Sequence, residues 1–94
     1  MDYIDVLKNF LDDNQRLKAW PSKRNKRRFQ QMALEYLASK FEPGRYYNER
    51  EVNALLNQHH TFEDPALLRR ELYERNLIDR VKDGSAYWLK GSTE

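Results

Sequence analysis

Asn48-Glu49-Arg50-Glu51, then Asp64-Pro65, then Leu77-Ile78-Asp79-Arg80-Val81-Lys82-Asp83-Gly84-Ser85-Ala86-Tyr87-Trp88-Leu89-Lys90 mark the stretch whose reading decides the fold. Asn48 with Glu51 three residues on forms a capping box, in which each side chain satisfies a backbone N–H that the first helical turn leaves open. Val52, Leu55, Leu56 and His59 then fall on one helical face. Asp64 is a second N-cap, and Pro65 follows at the first helical position, where its missing donor costs nothing, so a helix from Pro65 to about Asn76 is predicted. Asp83-Gly84 separates two runs of β-formers as a two-residue hairpin loop of type I′. That loop pairs Ile78 with Leu89, Asp79 with Trp88, Arg80 with Tyr87 and Val81 with Ala86. Helix, helix, hairpin is the winged-helix order, an arrangement that presents a helix and a wing to nucleic acid or to protein.

Working outward, Arg45-Tyr46-Tyr47 reads as a short first strand that pairs with the wing. Before it, Phe29, Met32, Ala33, Tyr36, Leu37 and Phe41 have helical spacing, and Glu42-Pro43-Gly44 ends that helix. Ala19-Trp20-Pro21-Ser22 interrupts the chain, because proline lacks a donor and disfavours helix for the residue ahead of it. From Tyr3 to Leu17 the residues Tyr3, Ile4, Leu7, Phe10, Leu11 and Leu17 predict an amphipathic helix of about four turns. The fold class expected is α+β, mainly α: a winged-helix-like unit of three helices, a hairpin wing and a short first strand, with an extra N-terminal helix. Residues 1–19 form that helix, packed on the domain, 20–90 the winged-helix-like domain and 91–94 a polar tail. The stripe Ile4, Leu7, Phe10 and Leu11 either closes the core or meets a second copy or a protein partner.

Ninety-four residues hold one domain. With 39% hydrophobic and 34% charged residues in periodic blocks, the chain is too apolar for disorder and too polar for a membrane span. The start Met1-Asp2-Tyr3-Ile4-Asp5 carries acids where a signal peptide carries bases, so a cytoplasmic protein is expected. The absence of cysteine rules out disulfides and thiolate zinc sites. At a net charge of +2, any basic surface must come from local clustering.

Such a cluster exists. Lys18, Lys23, Arg24, Lys26, Arg27 and Arg28 fall within eleven residues that contain no acid. Bases near a helix start oppose the helix dipole, a cost of a few tenths of a kcal/mol each, so the run reads either as a site for phosphate or an acidic partner or as a solvated helix start. The wing adds Arg80, Lys82 and Lys90. Nucleic-acid contacts are therefore expected at Lys23, Arg24, Lys26, Arg27, Arg28, Arg70 and Lys82. The helix from Pro65 is a poor major-groove reader: its inward face centres on Leu68, Leu72, Arg69 and Asn76, leaving Leu67, Arg70, Glu71 and Glu74 outward, and two acids repel phosphate. Arg69, tilted inward, is expected in a structural ion pair with Glu49 or Glu51.

The catalytic set is poor. His59-His60 stands near Glu63 and Asp64, but adjacent histidines point apart and no third ligand is placed, so a satisfied or solvated pair outweighs a metal site. The three glycines are scattered and cradle no phosphate. No catalytic residue, metal or cofactor is expected.

Phe29 to Phe41, Tyr47-Asn48-Glu49-Arg50-Glu51-Val52-Asn53, Leu68-Arg69-Arg70-Glu71-Leu72, Leu77-Ile78-Asp79-Arg80 and Asp83-Gly84-Ser85-Ala86-Tyr87-Trp88 together resemble the bacterial family called domain of unknown function 2087, over roughly Trp20 to Leu89. Trp20-Pro21 stands where the family usually has phenylalanine-proline. The resemblance implies a module associated with transcriptional regulation and no known reaction. The first helix lies outside it. The expectation is a small bacterial regulator that binds nucleic acid without catalysis, the alternative being a protein-interaction or dimerisation module.

Overall fold

The computed structural model describes residues 3–21 and 27–90. The architecture is α+β and mainly helical. Helices α1 (Tyr3–Val6), α2 (Arg27–Ala38), α3 (Glu49–Asn57) and α4 (Pro65–Glu74) precede an antiparallel hairpin, β1 (Ile78–Arg80) and β2 (Tyr87–Leu89), and a 3-10 turn at Lys8–Phe10 follows α1. Helices α3 and α4 pack on each other, while α2 and β1 both pack on α4, so α4 is the hub. Its Leu68 and Leu72, one turn apart, are fully buried, each side chain contributing about 1.5–3 kcal/mol. They meet Leu34, Leu37, Val52, Leu56 and Ile78 in a single core.

The helix starts follow their local signals. Asn48 accepts from the Glu51 N–H at 2.8 Å, and Glu51 accepts from the Asn48 N–H at 2.8 Å. Asp64 accepts from the Leu67 N–H at 3.1 Å, with Pro65 opening α4. The hairpin register is Ile78 with Leu89, Asp79 with Trp88 and Arg80 with Tyr87.

Three elements differ from the sequence reading. The hairpin turn is wider than a type I′ loop. The Val81 carbonyl accepts from the Gly84 N–H at 2.9 Å, and only Gly84 (φ 78°) takes the left-handed conformation, whereas type I′ needs two such residues. Asp83 does not take a positive φ, and its carboxylate accepts from the Ser85 N–H at 2.9 Å, which closes the loop by side chain. The first strand shrinks to one bridge, Tyr47 with Tyr87, joined by two hydrogen bonds of 2.8 and 2.7 Å.

The largest departure is at the N-terminus, where the helix expected to Leu17 stops after Val6. Beyond Leu11 the positions that would continue the apolar stripe are Asn14 and Gln15, and a competing local bond prevails. Asp12 accepts from the N–H groups of Asn14 (2.9 Å) and Arg16 (2.8 Å), and Gln15 turns left-handed at φ 63°. The chain doubles back, bridging Leu11 to Leu17, and Leu17 in turn bridges His60 in the α3–α4 turn. Leu7, Leu11 and Leu17 therefore lie in the core, at 0%, 6% and 0% exposure. Leu7 and Leu11 are thus not available to dock a second copy, which leaves Ile4 and Phe10 half-buried beside them.

Candidate nucleic-acid interface

Because Leu68 and Leu72 anchor α4 in the core, Arg69 and Tyr73 flank the buried face, and Arg70 and Glu74 stand outside it. Across from them the hairpin presents Arg80, on the same sheet face as its partner Tyr87, and Lys82 in the loop. Between α4, the start of α3 and the hairpin lies a cleft of about 540 Å³. It collects four bases, Arg69, Arg70, Arg80 and Lys82, and three acids, Glu49, Glu74 and Asp83.

The charges in this cleft are not equivalent. Arg80 lies over the Tyr73 ring at 4.9 Å, and its Nη1 donates to the Lys82 carbonyl at 2.9 Å, so its own turn fixes its geometry. Arg69 donates Nη1 to Asn53 Oδ1, and its Nη2 stands 3.9 Å from Glu49. Of the two carboxylates offered to Arg69 by the sequence, Glu49 is the one it faces. Glu51 instead caps α3 and faces Arg45 at 3.7 Å. Asp83 is held charged, its carboxyl lowered below the usual range by the Ser85 hydroxyl and then by the Ser85 N–H. Arg70 and Lys82 are exposed and have no carboxylate partner among the described residues.

The two outward acids expected on α4 separate. Glu71 accepts from Arg75 at 3.2 Å, with only 22% of its side chain exposed, while Arg75 also reaches Gln30 of α2 at 2.8 Å. Glu74 alone remains outward. Asn76, placed inward by the helical wheel, is exposed and left-handed (φ 64°), since α4 ends at Glu74 and the wheel no longer applies there.

Arg70 and Lys82 thus line one cleft. Arg27 and Arg28 are exposed in the first turn of α2, and Arg28 borders a separate hollow with Tyr3, Gln31, Met32 and Glu35. Lys23, Arg24 and Lys26 lie outside the described residues. Among the cleft members not foreseen are the aromatic residues Tyr73 and Tyr87. A faint signal existed for each: Tyr87 faces Arg80 across the hairpin, and Tyr73 follows Arg69 by one turn.

His60 serves the fold. His60 is buried in the α3–α4 turn, with Nδ1 2.6 Å from the Leu56 carbonyl and Nε2 accepting the Asp64 N–H at 2.9 Å, so backbone occupies both ring nitrogens. Among the described residues no three His, Asp or Glu side chains are grouped to hold a metal, and no helix is long and apolar enough to cross a membrane.

No curated protein and no solved structure matches the chain. Residues 16–89 match a family described as "Uncharacterized protein conserved in bacteria". The matched segment contains α2, α3, α4, both hairpin strands and every residue of the cleft. With most of its length inside that match, the chain belongs to the bacterial family of domain of unknown function 2087.

Proposed function

We propose that this chain is a non-enzymatic nucleic-acid-binding module of winged-helix type, acting in transcription regulation. The order α2, Tyr47 bridge, α3, α4, β1, β2 is that of a winged helix, with α4 in the place of the recognition helix and the loop 81–86 as the wing. The observation that carries the reading is the pair Arg70 and Lys82, two exposed bases without carboxylate partners among the described residues, set on α4 and on the wing beside one cleft. A phosphate backbone seated along that cleft meets both, and Arg80 lines the same cleft. Pairing of Glu71 with Arg75 removes half of the acidic objection to α4, and Glu74 still disfavours deep insertion in the major groove. Backbone contact is therefore the mode, with Arg27, Arg28 and the bases Lys23, Arg24 and Lys26 as a second contact region.

The test is an amide NMR titration with a short random duplex at low and near-physiological salt. Shifts should concentrate at Arg70, Lys82 and the first turn of α2. Log affinity should fall linearly with log salt, and Arg70→Gln with Lys82→Gln should reduce that slope by about 2, roughly one for each phosphate that is no longer neutralised. A duplex that moves no amide at low salt overturns the reading. A protein contact would then take precedence, favoured by Tyr46, which is 70% exposed and meets Trp88 edge-on at 5.4 Å.

A further inference from the structure

The floor of the α3–α4–hairpin cleft differs from its rim. Arg69 has five N–H donors, and Asn53 takes one of them. Glu49, at 3.9 Å, is too far for a hydrogen bond but near enough to orient the guanidinium. The Arg69 side chain is only 19% exposed, yet no side-chain polar atom among the described residues is both sealed from solvent and unpartnered. Its other two nitrogens therefore keep access to solvent, and Arg69 lines the cleft. The same holds for Tyr87, a residue 5% exposed whose hydroxyl makes no hydrogen bond with the described residues. That hydroxyl and a Glu49 carboxylate oxygen both border the space in front of Gly84, 3.7 and 3.9 Å from where a Cβ would stand. Donors that are preformed, recessed and unused are what an oxyanion pocket requires, and a fork-shaped guanidinium matches two oxygens of one group.

We propose that this cleft binds a small phosphorylated sugar or nucleotide, its phosphate on Arg69 and Tyr87 with Arg70 and Lys82 closing from the rim, and a hydroxyl of its organic part donated to Glu49. A cleft of about 540 Å³ lies within the range of small-molecule sites and is roomier than a bare phosphate needs. The three acids shape the choice of ligand. Glu49 accepts a hydroxyl, Asp83 is turned to the Ser85 N–H, and Glu74 stands at the mouth, so a ligand that is anionic at every point is disfavoured. The site does not depend on the nucleic-acid reading, although a bound ligand and a nucleic-acid backbone would compete for Arg70 and Lys82.

The test titrates the full chain with ribose 5-phosphate, ribose and inorganic phosphate, followed by amide NMR and calorimetry at near-physiological salt. Ribose 5-phosphate should saturate, with shifts centred on Glu49, Arg69, Gly84 and Tyr87, and should bind more tightly than either fragment. Tyr87→Phe keeps the buried ring and should weaken binding roughly tenfold, the worth of one hydrogen bond to a charged group. Arg70→Gln with Lys82→Gln leaves the floor intact and should weaken it further. Linear, non-saturating shifts, equal affinity for inorganic phosphate, or a Tyr87→Phe variant that binds as the wild type does would each overturn the proposal. The duplex titration is independent of these outcomes when run with a duplex lacking terminal phosphates.

Discussion

The stretch from Asn48 to Leu89 and the stretch from Tyr3 to Pro21 are held by different means. In the first, each element carries its own boundary: the Asn48–Glu51 box, the Asp64-Pro65 start and the Gly84 turn lie within a few residues of what they define. In the second, the bonds that matter reach far along the chain. Leu17 donates its N–H to the His59 carbonyl and accepts from the Thr61 N–H, Tyr36 donates its hydroxyl to the Gln15 carbonyl, and Tyr3 donates to Glu35. Apolar spacing of helical type can therefore be met by another conformation when distant partners take the backbone hydrogen bonds.

Three measurements bear on that contrast. The largest effect is expected at Leu17, which is fully buried where the N-terminal segment meets the α3–α4 turn. Leu17→Ala should lower unfolding free energy in urea by about 2–5 kcal/mol, as for a buried leucine that leaves a cavity. A loss of about 0.5 kcal/mol or less, the level of surface substitutions, would mean that the N-terminal segment is an appendage rather than part of the core.

Next comes the local boundary. Asn48→Ala removes the acceptor of the Glu51 N–H, and the loss should be about 1 kcal/mol. Unchanged stability would show that tertiary packing of Val52 and Leu56, not the cap, sets the start of α3.

The smallest effect is a pH dependence from His59, whose own backbone carbonyl accepts from the Leu17 N–H. Burial, and then the charge of Lys40, hold the His59 imidazole below its ordinary value near 6.5. The unfolded chain then takes up the proton first, so stability should fall as pH drops through 6.5 and level off once the folded form is protonated as well. His59→Gln should flatten the urea midpoint between about pH 7.5 and 5.5 relative to wild type. An identical slope in both proteins would assign the dependence to other groups.

What is legible in the sequence follows the same division. The two N-caps, the Pro65 start and the hairpin register are readable because each rests on neighbours in the chain. The turn type is not, since the Asp83 carboxylate accepts from the Ser85 N–H and the loop closes wider than two residues. The first strand is shorter than its residues suggest, because aromatic character at Tyr46 and Tyr47 does not say how many residues find a partner, and only Tyr47 does. The helix expected from Tyr3 to Leu17 does not form because the Asp12 side chain takes the N–H groups of Asn14 and Arg16 in a competing local turn, and Leu17 is committed to His59 and Thr61 by contacts that no short window contains. At the cleft, the inward tilt of Arg69 is legible from the helical wheel. Its spare donors and the recessed Tyr87 hydroxyl are not, since both depend on how the hairpin lies against α4.

Two of the three single bridges among the described residues, Leu17 to His60 and Tyr47 to Tyr87, also set an order of events during folding. Roughly forty residues separate the partners in each, so closing either one demands far more chain entropy than forming α3, α4 or the hairpin. The locally bounded elements can form and dock first, leaving the N-terminal loop to be stitched on at the end. In pulse-labelled hydrogen exchange, the amides of Leu17 and Thr61 are then the last to gain protection, a delay that marks the seam between a self-specifying unit and the segment that seals it.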